Sequence, residues 1–191
     1  MLIDKSFREL LDAIASSDPT PGGGSASAAA GAMGASLLLM VSGLPKTRNG
    51  SEDDRAALAA AGSALTSIRM ALTAAVDEDT AAYDAVVAAY KKPKSTPDEV
   101  TARKAGIQAA MRLATEVPLR VVRLCGQALA EGATVQTHGY ASAASDVGVG
   151  LALLKAAREG ARLNVEINLG SLTDTSFVES VNAELAALAR D

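Results

Sequence analysis

Residues 26–40 carry no charge and no side chain larger than Leu or Met, and this stretch constrains the fold more than any other. A helix that is apolar all round has no solvent face, so it belongs at the centre of a bundle or in a subunit interface. It follows directly on Asp18-Pro19-Thr20-Pro21-Gly22-Gly23-Gly24-Ser25. The prolines stiffen the approach, and the glycines let the backbone come close to a ligand or a neighbouring helix. Ser25 is placed as the N-cap of the following helix, so its hydroxyl and several unpaired N–H groups are expected to share one small space. Such a helix start favours an anionic or electron-rich group. A tight interhelical turn accounts for the same glycines without any ligand.

The surrounding composition agrees with close helix packing. Of the 191 residues 49% are hydrophobic, but only 3% are aromatic and none is Trp, so the apolar mass is Ala, Leu and Val. The length fits a single domain, residues 1–191, with a real core. A net charge of −4 argues against a nucleic-acid partner. Cys125 is the only cysteine, which excludes an intrachain disulfide framework and fits a reducing, cytoplasmic setting. Residues 1–17 carry Asp4, Lys5, Arg8, Glu9 and Asp12, unlike a signal peptide. The small residues of the 26–44 stretch suit a buried helix better than a lipid-facing one, so no membrane partner is expected.

Helical periodicity runs through the chain. Phe7, Leu10, Leu11 and Ile14 predict an amphipathic helix over 3–16. Further helices are predicted to about residue 41, over 52–90, from Thr96 or Pro97 to about 131, over 142–169 and over 174–189. The 52–90 helix would span roughly 60 Å at 1.5 Å per residue. Pro118 is expected to kink its helix, and residues 132–140 to form a loop. The fold class is all-α: an elongated up-and-down bundle of long helices. Helices that outrun one bundle seek partners, so a twofold homodimer is expected.

The usual catalytic signatures are missing. His138 is the only histidine, so no His-rich metal site can be built, and no metal is expected. The glycine run lacks the Lys-Ser/Thr of a phosphate-binding loop. Cys125 lies in an apolar run and reads as a buried, inert thiol. His138 reads as a solvated or hydrogen-bonded loop residue. More telling are polar residues on apolar helices: Ser145 and Asp146 near one end of the 142–169 helix, and Asn164 and Asn168 at i, i+4 near the other. They serve either as caps and interhelical bonds or as ligand contacts. Asp77, Glu78 and Asp79 read as a solvated acidic face. Lys46, Arg48, Lys91, Lys92 and Lys94 are either solvated loop cations or receptors for a polycarboxylate.

In order along the chain, Pro19 to Ser25, Tyr90 to Lys94, Arg103-Lys104-Ala105-Gly106-Ile107-Gln108-Ala109-Ala110, Val117-Pro118-Leu119, Ser145-Asp146-Val147-Gly148-Val149 and Gly160 to Leu169 together resemble the cyclodeaminase/cyclohydrolase family of folate enzymes. The segment Thr137 to Ser142 departs from the Asn-containing segment common there. The resemblance implies an all-helical dimer acting on the one-carbon unit between N5 and N10 of tetrahydrofolate, with no cofactor beyond that carrier. A cyclohydrolase opens the cationic 5,10-methenyl bridge with water to 10-formyltetrahydrofolate. A cyclodeaminase closes 5-formiminotetrahydrofolate and expels ammonia. The first is expected, since no formiminotransferase domain precedes the matching segments; the alternatives are the second and a non-catalytic helical dimer. Under the resemblance Asp146 becomes the general base or the group that holds the cation, and Lys46 an acid–base group or anchor. Gly22, Gly23, Gly24 and Ser25 become a pocket wall, with Ser145 beside Asp146. Asn164, Asn168 and Gln108 would meet the pterin amide edge or the attacking water, and Lys94 and Arg103 the glutamate tail.

Overall fold

Caps set where the helices begin in the computed structural model of the chain, which describes residues 1–188. Ser6 and Glu9 form a reciprocal capping box that opens α1 (Phe7–Ile14). The helix predicted over 3–16 is therefore split, with Leu2–Asp4 forming a separate 3₁₀ turn. The apolar helix, α2 (Gly23–Ser42), starts three residues earlier than predicted. Ser51 accepts the Asp54 N–H at 3.1 Å and opens α3 (Glu52–Tyr90). Thr96 and Glu99 form a second capping box, with Pro97 at the first helical position of α4 (Pro97–His138). A 3₁₀ turn at Ala141–Ala143 leads into α5 (Ala144–Leu169). Asp174 then accepts the Phe177 N–H at 3.1 Å at the head of α6 (Thr175–Leu188). The predicted end of this last helix, Ala189, lies outside the described residues.

The all-α expectation holds: among the described residues there is no strand, only an isolated antiparallel bridge between Thr47 and Gly139. The four long helices form a ring in which α2 packs on α3, α3 on α4, α4 on α5 and α5 on α2. α3 is continuous through Asp77–Asp79, and α4 runs unbroken through the buried Pro118. With 39 and 42 residues, each spans about 60 Å. The loop predicted over 132–140 is mostly the last two turns of α4. Gly132 does not end the helix: it is buried, and a Cβ there would stand 3.0 Å from Leu38 Cδ1. α2 passes close to α5 in the same way, where a Cβ on Gly34 would lie 2.8 Å from the Gly150 carbonyl oxygen. α2 and α3 are each long and apolar enough, by length and composition alone, to cross a membrane. Here Leu38, Val41, Leu65 and Leu72 of these helices are fully buried in the bundle core.

At the α2–α3 turn, Asp54 is 3% exposed and ties three segments together. Its carboxylate meets His138 Nδ1 at 2.8 Å and accepts the Asn49 N–H at 2.7 Å and the Thr47 hydroxyl at 3.2 Å. His138 is thus hydrogen-bonded, but as the last residue of α4 rather than in the predicted loop. Its bond, followed by that from Asn49, holds Asp54 down at a pKa of about 2. A carboxyl depressed in the folded state contributes stability above its unfolded pKa near 3.9, and loses it as pH falls towards 2. Asp54→Asn should therefore flatten the loss of stability between about pH 4 and pH 2. Urea midpoints measured across that range check this; parallel curves for variant and parent would refute the linkage.

Candidate active site

α2 has no cap of its own. Gly22 is its N-cap residue and offers no side chain, and Ser25 sits in the first turn, so the cap expected from Ser25 is not made. A neighbouring helix supplies it. Asp79 of α3 accepts the Ser25 N–H at 2.8 Å and stands 3.1 Å from the Ser25 hydroxyl. That hydroxyl also lies 2.9 Å from the Val76 carbonyl, and with one proton it donates to only one of the two at a time. Gly24 is what allows this approach: a Cβ there would fall well inside 3 Å of three Asp79 carboxylate atoms.

The three acidic residues read as a solvated face do three different jobs. Asp77 accepts the Leu2 N–H, and Glu78 pairs with Arg120. Asp79 turns inward, with no cation in ion-pair range among the described residues. Burial raises its pKa above the ordinary carboxylate value, while the hydroxyl and N–H of Ser25 pull the other way. The sequence did carry a signal: Leu65, Ile68, Leu72, Ala75, Asp79 and Ala82 follow steps of three and four, so a carboxylate occupies the core-facing register of α3.

Asp79 lies in a cleft of about 390 Å³. One wall is Pro19, Thr20 and Gly22–Gly24, with a cis peptide at Thr20–Pro21; Tyr83 stands one turn along α3, and Asn164 and Asn168 face it from α5. Asn164 donates from Nδ2 to the Gly160 carbonyl at 2.8 Å, leaving its amide oxygen free of protein donors among the described residues. A Cβ on Gly23 would stand 3.2 Å from Asn164 Nδ2. Asn168 donates to the Ala114 carbonyl at 2.8 Å. The glycine turn and the asparagine pair, distant in sequence, are thus brought together as expected.

Other predicted residues fall elsewhere. Asp146 and Ser145 lie in the first turn of α5, eighteen or more residues from Asn164, which is about 27 Å along the helix. Lys46 is exposed beyond the C-terminal end of α2, with Nζ 5.4 Å from the Tyr140 ring centroid. Within one chain, neither Asp146 nor Lys46 lines the cleft. Gln108 has both ends of its amide engaged, donating to the Ser171 carbonyl at 3.0 Å and accepting the Thr173 N–H at 2.8 Å, so it fastens the α5–α6 turn. Arg103 donates to the Tyr90 carbonyl at 3.1 and 3.0 Å and stacks on the Tyr90 ring, closing the α3–α4 turn where Lys94 is exposed. Cys125 is fully buried, and burial pushes its thiol up to about 12, as befits an inert core residue.

Among the described residues three hollows are larger; the one beside Met33 and Met40 is apolar, and the other two are chemically plainer. One of about 560 Å³ has its charges already matched, Glu78 with Arg120 and Arg123 with Glu184. The other, about 520 Å³, is a groove between α4, α5 and α6 that presents Lys155 and Arg158, with Arg162 already paired with Glu159 and Glu166. Only the smaller cleft joins an unpaired carboxylate, bare glycine backbone and facing amides.

Comparison with known proteins agrees with this architecture. Residues 6–187 match the family model described as formiminotransferase-cyclodeaminase, and the chain belongs to that family. It is 38% identical to the methenyltetrahydrofolate cyclohydrolase of Methylorubrum extorquens, over 97% of this chain and 89% of that protein. It is 30% identical to the rat formimidoyltransferase-cyclodeaminase, of which it spans 35%. The crystal structure of formiminotetrahydrofolate cyclodeaminase from Thermotoga maritima superposes with a TM-score of 0.87 and 28% identity, covering all of this chain and 91% of that one.

Proposed function

We propose that the protein is a methenyltetrahydrofolate cyclohydrolase that adds water to 5,10-methenyltetrahydrofolate and releases 10-formyltetrahydrofolate. The 38% identity to a cyclohydrolase across nearly the full length of both chains supports the activity. The observation that carries the mechanism is Asp79, half-buried and unpaired by a cation, at the foot of a cleft walled by glycine backbone.

The methenyl bridge is a cationic carbon between two nitrogens, so it is electrophilic without further activation. The enzyme must orient a water molecule, remove its proton and protonate N5 as the ring opens. Ionised Asp79 attracts the cation and takes the proton as the water oxygen bonds to the bridge carbon. In the resulting tetrahedral adduct the C–N5 bond breaks, Asp79 returns its proton to N5, and the hydroxyl proton leaves to solvent as the formyl C=O forms on N10. One water is consumed and one proton released. The Asn164 amide oxygen is positioned to accept from the attacking water, and Gly22–Gly24 let a flat pterin lie on the backbone. Lys94, on the turn between α3 and α4, would meet the glutamate tail, and Arg103 holds that turn through the Tyr90 carbonyl. This chemistry transfers protons only, so it requires no redox cofactor or metal. A cytoplasmic homodimer, with neither nucleic acid nor membrane as partner, completes the reading.

The likeness to the Thermotoga cyclodeaminase supports a second reading, closure of 5-formiminotetrahydrofolate with loss of ammonia. One assay separates them. Purified protein given methenyltetrahydrofolate should bleach its absorbance far faster than buffer, while formiminotetrahydrofolate yields no ammonia above background. Ammonia release without methenyl hydrolysis would reverse the assignment, and neither activity would refute both.

A further inference from the structure

Ser25 stands behind the cleft and not in it: it is 1% exposed and does not line the cavity. Its hydroxyl lies 2.9 Å from the Val76 carbonyl, 3.1 Å from Asp79 Oδ2 and 3.3 Å from Thr80 Oγ1. Its backbone N–H donates to the same Oδ2 at 2.8 Å, so both donors of Ser25 converge on one carboxylate oxygen. Asp79 Oδ1 accepts no hydrogen bond among the described residues, and it lies against Gly24, where the missing side chain leaves it room. The two oxygens of Asp79 are therefore inequivalent, one tethered and one free. No other charge lines the cleft among the described residues. Tyr83 of α3 is the other titratable side chain there, α4 contributes Met111 and Ala114, and α5 contributes Asn164 and Asn168. The neighbouring acids Asp77 and Glu78 are engaged with the Leu2 N–H and Arg120.

We propose that Ser25 is a positioning residue for the hydrolysis. Its hydroxyl donates to Oδ2 while Asp79 is ionised and turns to the Val76 carbonyl while Asp79 holds a proton, so that Oδ1 alone exchanges protons with the substrate. This rests on the reading of Asp79 as the acid–base group. A hydroxyl has one proton and gives it to the stronger acceptor. A hydrogen bond to an ionised oxygen is about twice as strong as one to a neutral carbonyl, so the carboxylate wins at 3.1 Å against the carbonyl at 2.9 Å. Once Oδ1 has taken the water proton that advantage is gone, and the nearer Val76 carbonyl, with two lone pairs to offer, becomes the better partner. The change is a rotation about the Cβ–Oγ bond. Ser25 keeps its own proton throughout, and the protons transferred are those from water to Oδ1 and from Oδ1 to N5. The Ser25 N–H stays on Oδ2 in both settings and fixes the carboxyl plane, so Oδ1 returns the proton from the place where it received it. The same hydroxyl opposes the burial that disfavours the ionised base.

The titration of Asp79 itself tests this and needs no substrate. Protein isotope-labelled at the aspartate side-chain carboxyl carbons is titrated by NMR, and the Asp79 signal is identified by its absence from Asp79→Asn. In Ser25→Ala the midpoint should rise by about one pH unit, a tenfold change in the protonation equilibrium, because a bond made only to the ionised form has been removed. Ser25→Cys keeps the shape of the side chain with a weaker donor, so its midpoint should fall between the two, and it carries the test if the alanine variant does not fold. In methenyl hydrolysis the acid limb of kcat/KM should move by the same amount. The deficit of Ser25→Ala relative to the parent should therefore deepen by about tenfold from the plateau to the acid limb. A midpoint unchanged in both variants would overturn the proposal even if folate turnover were never observed. A deficit equal at every pH would overturn it too, since it would reduce Ser25 to packing. A shifted midpoint in a protein that hydrolyses no methenyltetrahydrofolate would support the Ser25 switch and separately refute the cyclohydrolase reading.

Discussion

Asp79→Asn is expected to lower kcat for methenyl hydrolysis by about 100-fold or more, the usual scale for removing an acid–base group, while the bundle stays folded. The asparagine keeps the shape of the side chain, and its oxygen can still accept the Ser25 N–H that Asp79 now takes at 2.8 Å. Stability should move the other way from activity. Burial raises the Asp79 pKa in the fold, so its contribution is most favourable below the unfolded value near 3.9 and is lost as pH rises through the folded value. At pH 7 the buried charge is therefore a cost, and removing it should raise Tm slightly; at pH 3 the difference should vanish. Catalysis supplies an independent reading. Ionised Asp79 must take the water proton, so kcat/KM of the parent should fall on the acid side with an apparent pKa above the ordinary carboxylate value. The variant's residual rate should lack that limb. A variant with wild-type kcat, or an unchanged acid limb, would remove Asp79 from the reaction.

Gly24→Ala should cost nearly as much through sterics alone. The added Cβ falls on the Asp79 carboxylate, too close for small adjustments of a tightly packed α2–α3 contact. Asp79 must rotate away, losing both Ser25 contacts, or α2 must lift from α3. We expect kcat to drop by about 100-fold and stability by about 1–3 kcal/mol, the range for overpacking. Gly23→Ala is the control on the same turn. Its Cβ would meet only the Asn164 side chain, Nδ2 at 3.2 Å, a contact that a side-chain adjustment relieves. That variant should fold normally and raise KM more than it lowers kcat. Equal effects from the two alanines, read by steady-state kinetics and thermal melts, would mean the turn is only a bend.

Much of this fold was legible in the sequence because helix signals are local. Caps such as Ser51 and the Thr96-Pro97 start, and the steps of three and four in the apolar residues, fix where helices run without reference to the rest of the chain. Gly132 misled because glycine usually marks a helix end, whereas here it lets α4 approach Leu38 and Leu151. The site was half legible. Glycines on a stiff turn and asparagines on an apolar helix are unusual enough to stand out, and the fold joins them. Asp79 was hidden by its neighbours: three consecutive acids look like a solvated patch, though successive residues on a helix point 100° apart and only one of them can face the core. Gln108 and Arg103 were named as binding groups because their polar ends were visible, but what those ends touch, the turns at Ser171 and Tyr90, is set by tertiary contacts.

On this reading the Asp79 cleft, and not the larger groove between α4, α5 and α6, receives the folate. A crystal structure with 5-formyltetrahydrofolate, which carries its one-carbon unit on N5 and lacks the cationic methenyl bridge, decides between them. The pterin should lie on the Gly22–Gly24 backbone with its one-carbon unit within hydrogen-bond reach of Asp79 and Asn164. A pterin seated instead among Lys155, Arg158 and Arg162 would contradict the assignment.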